Sequence, residues 1–247
     1  MKYFIHIAYK GTAYHGWQLQ KNAHTVQAEL NQALQLLLDE PVETLGCGRT
    51  DTGVHARRFT AHFKAQKLVN VQQFTININK ILPPDISCYN VCPVPDAANA
   101  RFDAISRTYK YFVTLVKNPF LTEYAHYVHH PLSVEAMNAA ASLLLTTTDF
   151  TSFAKLHSDV KTNICTLYEA YWSENKENNT LVFTIRANRF LRNMVRAIVG
   201  TLLDVGRGKL SLEELTKVID SKNRCSASTS APAHGLFLWE VEYELGR

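Results

Sequence analysis

The sequence has little that is typical of secreted, membrane or disulfide-stabilised proteins. No apolar run approaches the roughly 18 residues that a membrane span needs. The five cysteines include no Cys-x-x-Cys pair, and their odd number argues against a disulfide framework. The first residues contain too short an apolar stretch for a signal peptide and predict a strand instead. We therefore expect a cytoplasmic protein without a membrane segment.

The net charge is small but unevenly distributed. It is +4 for the whole chain, whereas segments 47–67, 99–118 and 186–209 carry +4, +3 and +5, so the remainder is acidic. Cations that lie close to apolar and aromatic residues are typical of surfaces that bind nucleic-acid phosphates. Solvated faces on separate elements produce the same pattern, and charge alone does not distinguish the two interpretations.

Hydrophobic periodicity predicts an α+β fold in two halves, residues 1–104 and 105–247. Several strands are joined by short turns, which favours mainly antiparallel pairing. Strands are predicted over 3–9, 60–67, 86–94, 107–116, 165–172, 180–187 and 236–244, with a short one leading into 45–48. Helices are predicted over 26–38, 71–82, 134–145, 190–205 and 211–220.

The densest group of unusual residues spans Gly46–Arg57, with the sequence GCGRTDTGVHAR. Its three glycines allow close backbone approach, and they surround Arg49 and Asp51. The nearby arginine favours the ionised form of Asp51, which makes this residue a candidate nucleophile or electrostatic catalyst. Alternatively, the segment is a turn whose aspartate accepts backbone hydrogen bonds. It is not a phosphate-binding P-loop, because no Gly-Lys-Ser/Thr follows.

A second candidate is the β-prone run Arg107–Phe112, RTYKYF. Aromatic residues interleaved with cations on a strand resemble a base-stacking platform, with Tyr109 among the candidates. An amphipathic core strand whose tyrosines pack inward explains the same pattern.

A third candidate is the arginine-rich segment that precedes and enters the predicted helix 190–205. Arg189, Arg192 and Arg196 fall at i, i+3 and i+7, so we expect them on one helical stripe. Between residues 175 and 203 the one acidic residue is Glu177, so local ion-pair partners are scarce. This scarcity favours an anionic ligand over a solvated face.

Glu123, His126, His129 and His130 have spacings that could suit a metal ion. Their segment lacks a helical pattern and cysteine partners, however, so a solvent-facing histidine cluster is the favoured interpretation. We expect no metal site.

Residues Gly48–Ala56, GRTDTGVHA, resemble the signature of the TruA family of tRNA pseudouridine synthases. Other segments are similar to that family and follow in the same order, so the resemblance spans nearly the whole chain. They are Tyr9–Gln20, Thr25–Gln27, Leu82–Ile86, Ala100–Ala104, Arg107–Tyr111, Asp149–Phe153 and Asn188–Arg196. Thr52 stands where the family usually has Ala, and Ala98-Asn99 replaces its usual Phe-His.

The resemblance implies two ferredoxin-like halves with a basic cleft between them, and a homodimer that binds tRNA. The implied reaction converts uridine to pseudouridine at positions 38, 39 and 40 of the anticodon stem-loop. Asp51 corresponds to the essential aspartate and Tyr109 to the tyrosine stacked on the target base. Arg49 and Arg196 correspond to arginines beside the reacting uridine, whereas Arg189 and Arg192 are expected further along the cleft on phosphates. Since the reaction gains no atoms and involves no redox change, no cofactor is expected.

Two other classes of function fit part of the sequence. A non-catalytic RNA-binding module explains the basic and aromatic segments but not the glycine-framed Arg-x-Asp loop. A metal-dependent nuclease requires the histidine cluster to act as ligands.

Overall fold

The computed structural model describes residues 1–66, 70–156 and 161–244. It confirms an α+β fold with mixed, mostly antiparallel strand pairing. The chain divides into two compact units, one formed by Met1–Ile105 with the chain from Leu238 onward, the other by Ser106–Phe237. None of the helices in the described ranges is long and apolar enough to cross a membrane.

The elements of the described residues are named here in chain order. The α-helices are α1 (Val26–Leu38), α2 (Val71–Ile81), α3 (Val134–Leu145), α4 (Met194–Gly206) and α5 (Leu212–Asp220). The strands are β1 (Lys2–Tyr9), β2 (Leu45–Gly46), β3 (His55–Lys64), β4 (Ile86–Val94), β5 (Ala104–Thr114), β6 (His126–Tyr127), β7 (Leu167–Asn175), β8 (Thr180–Ala187) and β9 (Leu236–Tyr243).

The first unit is built around β1, whose residues are all buried or half-buried. This strand pairs antiparallel with β3 on one side and β4 on the other, and β9 lies beyond β3. The helices start where the sequence predicts, because the side chains of Thr25 and Asn70 accept hydrogen bonds from the first-turn N–H groups of α1 and α2. Because β1 pairs with β3, it also fixes the position of β3 and of the loop that precedes β3.

The second unit contains the antiparallel strands β5, β8 and β7 in that order, with β6 parallel to β5. The side-chain amide of Asn138 attaches α3 to β7. It donates to the carbonyl of Trp172 at 3.1 Å and accepts from the same residue's N–H at 2.7 Å. Ser133 caps α3, and Ser211 forms a capping box with Glu214 at the start of α5.

The prediction of one helix over residues 190–205 is wrong at its beginning. Helix α4 starts at Met194, because Asn193 has φ 65° in the left-handed region and its side-chain amide donates to the hydroxyl oxygen of Ser230 at 2.7 Å. Apart from Arg196 and Asp204, every residue of α4 is buried. The predicted arginine stripe therefore does not form: Arg189 and Arg192 precede the helix.

Other differences concern strand boundaries. β3 begins at His55 rather than residue 60, and β5 begins at Ala104 rather than residue 107. The two-residue strand β6 was not predicted. Residue 67, the predicted end of β3, lies outside the described residues.

Candidate active site

The loop between β2 and β3, residues 47–54, is called the Asp51 loop below. The N–H of Val54 donates to the carbonyl of Asp51 at 3.1 Å, which closes a turn over these four residues. Gly53 has φ 77° in that turn, a conformation that favours glycine. Asp51 is half-buried and Arg49 is exposed. The turn therefore leaves the aspartate accessible on a compact loop.

Hydrogen bonds attach the Asp51 loop and the start of β3 to residues 9–17. Two join backbone groups, one joins a backbone N–H to a histidine ring, and one joins two hydroxyls. The pairs are Trp17 N–H to Thr50 carbonyl (3.3 Å), Gly53 N–H to Tyr14 carbonyl (3.2 Å), Gly11 N–H to His55 Nδ1 (3.0 Å) and the hydroxyls of Tyr9 and Thr50 (2.8 Å). Because the contacts reach Thr50 and Gly53, the backbone on both sides of Asp51 is restrained.

Residues 9–17 are themselves anchored to the segment before β4. The Tyr14 hydroxyl donates to the Asp85 carboxylate at 2.6 Å, and the Lys10 N–H donates to the Asp85 carbonyl at 2.9 Å. Burial and then the Asp85 contact raise the pKa of Tyr14, so its hydroxyl stays protonated and remains a donor. The ring of Trp17 stacks on that of Phe59 in β3, with centroids 4.1 Å apart.

These contacts bring together sequence segments that no local pattern connects. Residues of Tyr9–Gln20 and Leu82–Ile86 support the Asp51 loop, although the sequence indicates neither the Tyr9–Thr50 contact nor the His55–Gly11 contact. An aspartate on a loop fixed in this way can attack an electrophilic carbon or stabilise a positive charge without first being ordered.

Tyr109 lies in the second unit, half-buried on β5 and paired with Ile185 of β8. Its ring meets Phe190 edge-on, with centroids 5.1 Å apart and an interplanar angle of 86°. Tyr111, two residues along, is fully buried and donates to the carbonyl of Pro232 at 2.9 Å. The core-strand interpretation therefore describes Tyr111, whereas Tyr109 is half-buried.

The arginines of the second unit have different surroundings. Arg192 is exposed in the turn before α4, and its carbonyl accepts from the N–H of Lys155 at 3.0 Å. Arg196 is half-buried in the first turn of α4, where its Nε donates to the carbonyl of Ala231 at 2.7 Å.

The candidate residues thus fall into two groups. Asp51 and Arg49 share one loop of the first unit, whereas Tyr109, Arg192 and Arg196 belong to the second unit.

The histidine cluster has no metal-binding geometry in the part of the chain that the structure describes, where no three His, Cys, Asp or Glu side chains are grouped to hold an ion. His129 and His130 are exposed, with ring centroids 3.8 Å apart. Burial, followed by the neighbouring His234 and Arg207, lowers the pKa of His126 to about 4, so this ring is neutral near pH 7.

The chain is similar in sequence to known proteins over nearly its whole length, which includes both units. A family model described as tRNA pseudouridine synthase matches residues 140–244. The chain is 54% identical to tRNA pseudouridine synthase A of Bacteroides fragilis, over 98% of this chain and 96% of the relative. The protein of the same name from Bacteroides thetaiotaomicron is also 54% identical, over 98% and 90% of the two chains. That of Azobacteroides pseudotrichonymphae is 48% identical, over 98% and 96%.

Proposed function

We propose that this chain, which belongs to the tRNA pseudouridine synthase A family, acts on the uridines at positions 38, 39 and 40 of the tRNA anticodon stem-loop. The chain is an isomerase that converts uridine to pseudouridine in tRNA. The observation that carries the proposed site is the Asp51 loop. It contains the residues of the family signature, and its backbone is held by hydrogen bonds that leave Asp51 accessible.

The reaction breaks the bond between C1′ of the ribose and N1 of uracil, turns the base, and rejoins it through C5. The proton on C5 is released and N1 gains one, so the base has the same composition before and after. We assign Asp51 to the ribose: its carboxylate either attacks C1′ or stabilises the positive charge that develops as the base departs. Both routes require the carboxylate.

The second unit is proposed to hold the base. A uridine in a helical stem must leave the stack to be reached, and an aromatic face stabilises the extruded base. Tyr109 is half-buried and is assigned to this stacking, and its ring packs perpendicular to that of Phe190. Arg49 and Arg196 are assigned to the flanks of the reacting nucleotide, and Arg192 to a phosphate.

The remaining sequence-based expectations belong to this proposal. They are two ferredoxin-like halves at residues 1–104 and 105–247, a basic cleft between them, a homodimer and a cytoplasmic location. The basic segments around Arg49, Arg107 and Arg196 support binding of an RNA along charged surfaces. Sedimentation of the purified protein tests the dimer.

The function is tested with tRNA whose uridines carry tritium at C5. Conversion at a uridine releases that tritium, so the released label counts the products formed. Transcripts with a single uridine at position 38, 39 or 40, and controls with uridine elsewhere in the stem, identify the positions used. Release in the presence of EDTA is expected. Binding without release would favour an RNA-binding module, and EDTA-sensitive cleavage would favour a nuclease.

Substitutions of Tyr109 should separate stacking from hydrogen bonding. Tyr109→Phe keeps the aromatic face, whereas Tyr109→Leu loses it. Stacking on an aromatic side chain is worth about 1–3 kcal/mol per base, so the Leu variant should form the extruded complex roughly ten-fold less well or worse. Single-turnover rates at limiting tRNA measure this loss. Tyr171→Leu is the matched control, since Tyr171 is an exposed tyrosine of the same unit. Wild-type activity in Tyr109→Leu would show that Tyr109 is a structural residue of the core strand and does not stack on the base.

Arg192→Ala and Arg196→Ala should affect different steps. Loss of a phosphate contact at Arg192 should weaken tRNA binding and reduce the salt slope by about one unit, with the single-turnover rate at saturation unchanged. Loss of Arg196 should reduce that rate about ten-fold or more, the scale of a hydrogen bond to a charged group, with binding nearly retained.

Binding titrations at several salt concentrations and rapid-quench rates distinguish the two effects. Because Arg196 also binds the carbonyl of Ala231, thermal unfolding of both variants must accompany the rates. If both variants match wild type in binding and rate at low salt, neither arginine acts on the tRNA.

A further inference from the structure

A buried hydrogen bond joins the end of β1 to the residue that precedes Asp51. The Tyr9 hydroxyl and the Thr50 Oγ1 are 2.8 Å apart, between residues that are 4% and 7% exposed. The two residues are 41 positions apart in the chain. Neither side chain presents enough surface to contact an RNA directly, so any role in the reaction must act through the protein.

We propose that this hydrogen bond sets the direction of the Asp51 carboxylate, and that Tyr9 and Thr50 are positioning residues for the isomerisation. The proposal rests on the function proposed above, in which Asp51 acts on the ribose. It assigns a role to the hydroxyl groups of two residues that the reaction itself does not use.

Tyr9 is a rigid anchor. Its backbone lies between two neighbouring strands, paired with Ala56 of β3 and Ile86 of β4. Its ring packs against Phe59 with centroids 5.6 Å apart. The pairing and the ring packing therefore hold the hydroxyl within hydrogen-bond distance of Thr50.

Thr50 is held at two groups. Its carbonyl accepts from the N–H of Trp17 at 3.3 Å, and its side chain meets the Tyr9 hydroxyl. The carbonyl contact restrains the peptide between Thr50 and Asp51, and the side-chain contact restrains the rotamer of Thr50 and the backbone that bears it. With the side-chain contact removed, the backbone at Thr50 is less restrained, which should alter the direction in which the next residue presents its carboxylate.

Such a change of direction should slow chemistry more than it weakens binding. A misplacement of about 1 Å at a reacting group can cost 10²-fold in rate, because the reacting atoms must align. The tRNA contacts are unaffected, since both hydroxyls are buried. The expected signature is a lower rate at saturating tRNA with an unchanged dissociation constant.

The test compares Tyr9→Phe, Thr50→Val, the double variant and Thr50→Ser in single-turnover assays at saturating tRNA. Phe and Val each remove one hydroxyl with little change in shape. Each should lower the rate about ten-fold, the equivalent of one neutral hydrogen bond. The double variant should be no slower than either single variant, and Thr50→Ser, which keeps the hydroxyl, should retain most of the wild-type rate.

Tyr3→Phe is the matched control, because Tyr3 is a buried tyrosine at the other end of β1 whose hydroxyl lies 3.7 Å from the sulfur of Met1. It should leave the rate unchanged. Denaturant unfolding of all variants measures stability separately, and rates are expressed per folded molecule.

Wild-type rates in Tyr9→Phe and Thr50→Val would overturn the proposal, even if both variants were less stable. So would a double variant whose rate falls by the product of the two single effects, because the hydroxyls would then act independently. A Thr50→Ser variant as slow as Thr50→Val would also overturn it. Asp51→Asn, assayed in parallel, separates this failure from failure of the proposed function. An inactive Asp51→Asn with a fully active Tyr9→Phe rejects positioning alone, whereas an active Asp51→Asn rejects the catalytic assignment itself.

Discussion

Asp51→Asn should abolish pseudouridine formation while tRNA binding is retained. The amide is nearly isosteric with the carboxylate, but it is a poor nucleophile and carries no charge to stabilise a positive ribose. The single-turnover rate should fall by about 10³-fold or more, on the scale seen when an enzyme loses an essential catalytic group. Removing one negative charge that faces RNA should leave the dissociation constant equal or slightly lower. Rapid-quench assays with C5-tritiated tRNA and filter binding measure the two quantities.

Asp96→Asn provides the matched control, since it removes an exposed carboxylate from the same unit. It should keep the wild-type rate and show whether a change of net charge alone alters binding. If Asp51→Asn retained more than a few percent of wild-type turnover, Asp51 would not act on the ribose. Loss of tRNA binding in parallel with the rate would instead indicate a role in recognition.

Local signals in the sequence predict much of the secondary structure. The helices at Val26, Val134 and Leu212 begin where a Thr or Ser precedes an apolar period, and in the structure each of those residues accepts a first-turn N–H. Capping involves residues three positions apart, so a single sequence contains the necessary information. The start of α4 depends instead on Asn193 and Ser230, which are 37 residues apart. The apolar residues around Arg192 fit a helical period, and this distant contact overrides it.

The same distinction holds for the candidate site. The motif around Asp51 is evident in the sequence because its glycines, Arg49 and Asp51 are adjacent. The contacts of Tyr9 with Thr50 and of Tyr14 with Asp85 join positions 41 and 71 residues apart, and no periodicity indicates them. The grouping of Leu238 and the residues after it with the first unit likewise depends on long-range pairing, since β9 lies next to β3. Sequence alone therefore identifies the candidate catalytic carboxylate of Asp51 but not the residues that support its loop.

Gly16→Ala should disrupt the Asp51 loop through backbone strain and steric overlap together. Gly16 has φ 86°, a backbone conformation that residues other than glycine rarely adopt. A Cβ at this position would also overlap the carbonyl oxygen of Thr50 and lie 3.2 Å from the carbonyl carbon of Asp51. The contacted atoms are backbone, so they cannot rotate away. We expect a loss of about 2 kcal/mol or more in the free energy of unfolding, from the backbone strain and the overlap together. The displaced loop should also lower the single-turnover rate about ten-fold or more.

Gly48→Ala is the matched control within the loop itself, because a Cβ at Gly48 meets no heavy atom within 4 Å. It should leave stability close to wild type, or raise it by about 0.4–1 kcal/mol by restricting the unfolded chain. Gly16→Asn separates the two causes, since asparagine tolerates positive φ better than alanine but brings the same Cβ. If overlap with Thr50 dominates, as the proximity of the two backbones indicates, Asn and Ala should be equally damaging in denaturant unfolding and in rate. A much milder Asn variant would assign the effect to backbone strain, and wild-type behaviour of both would show that residues 9–17 do not hold Asp51 in place.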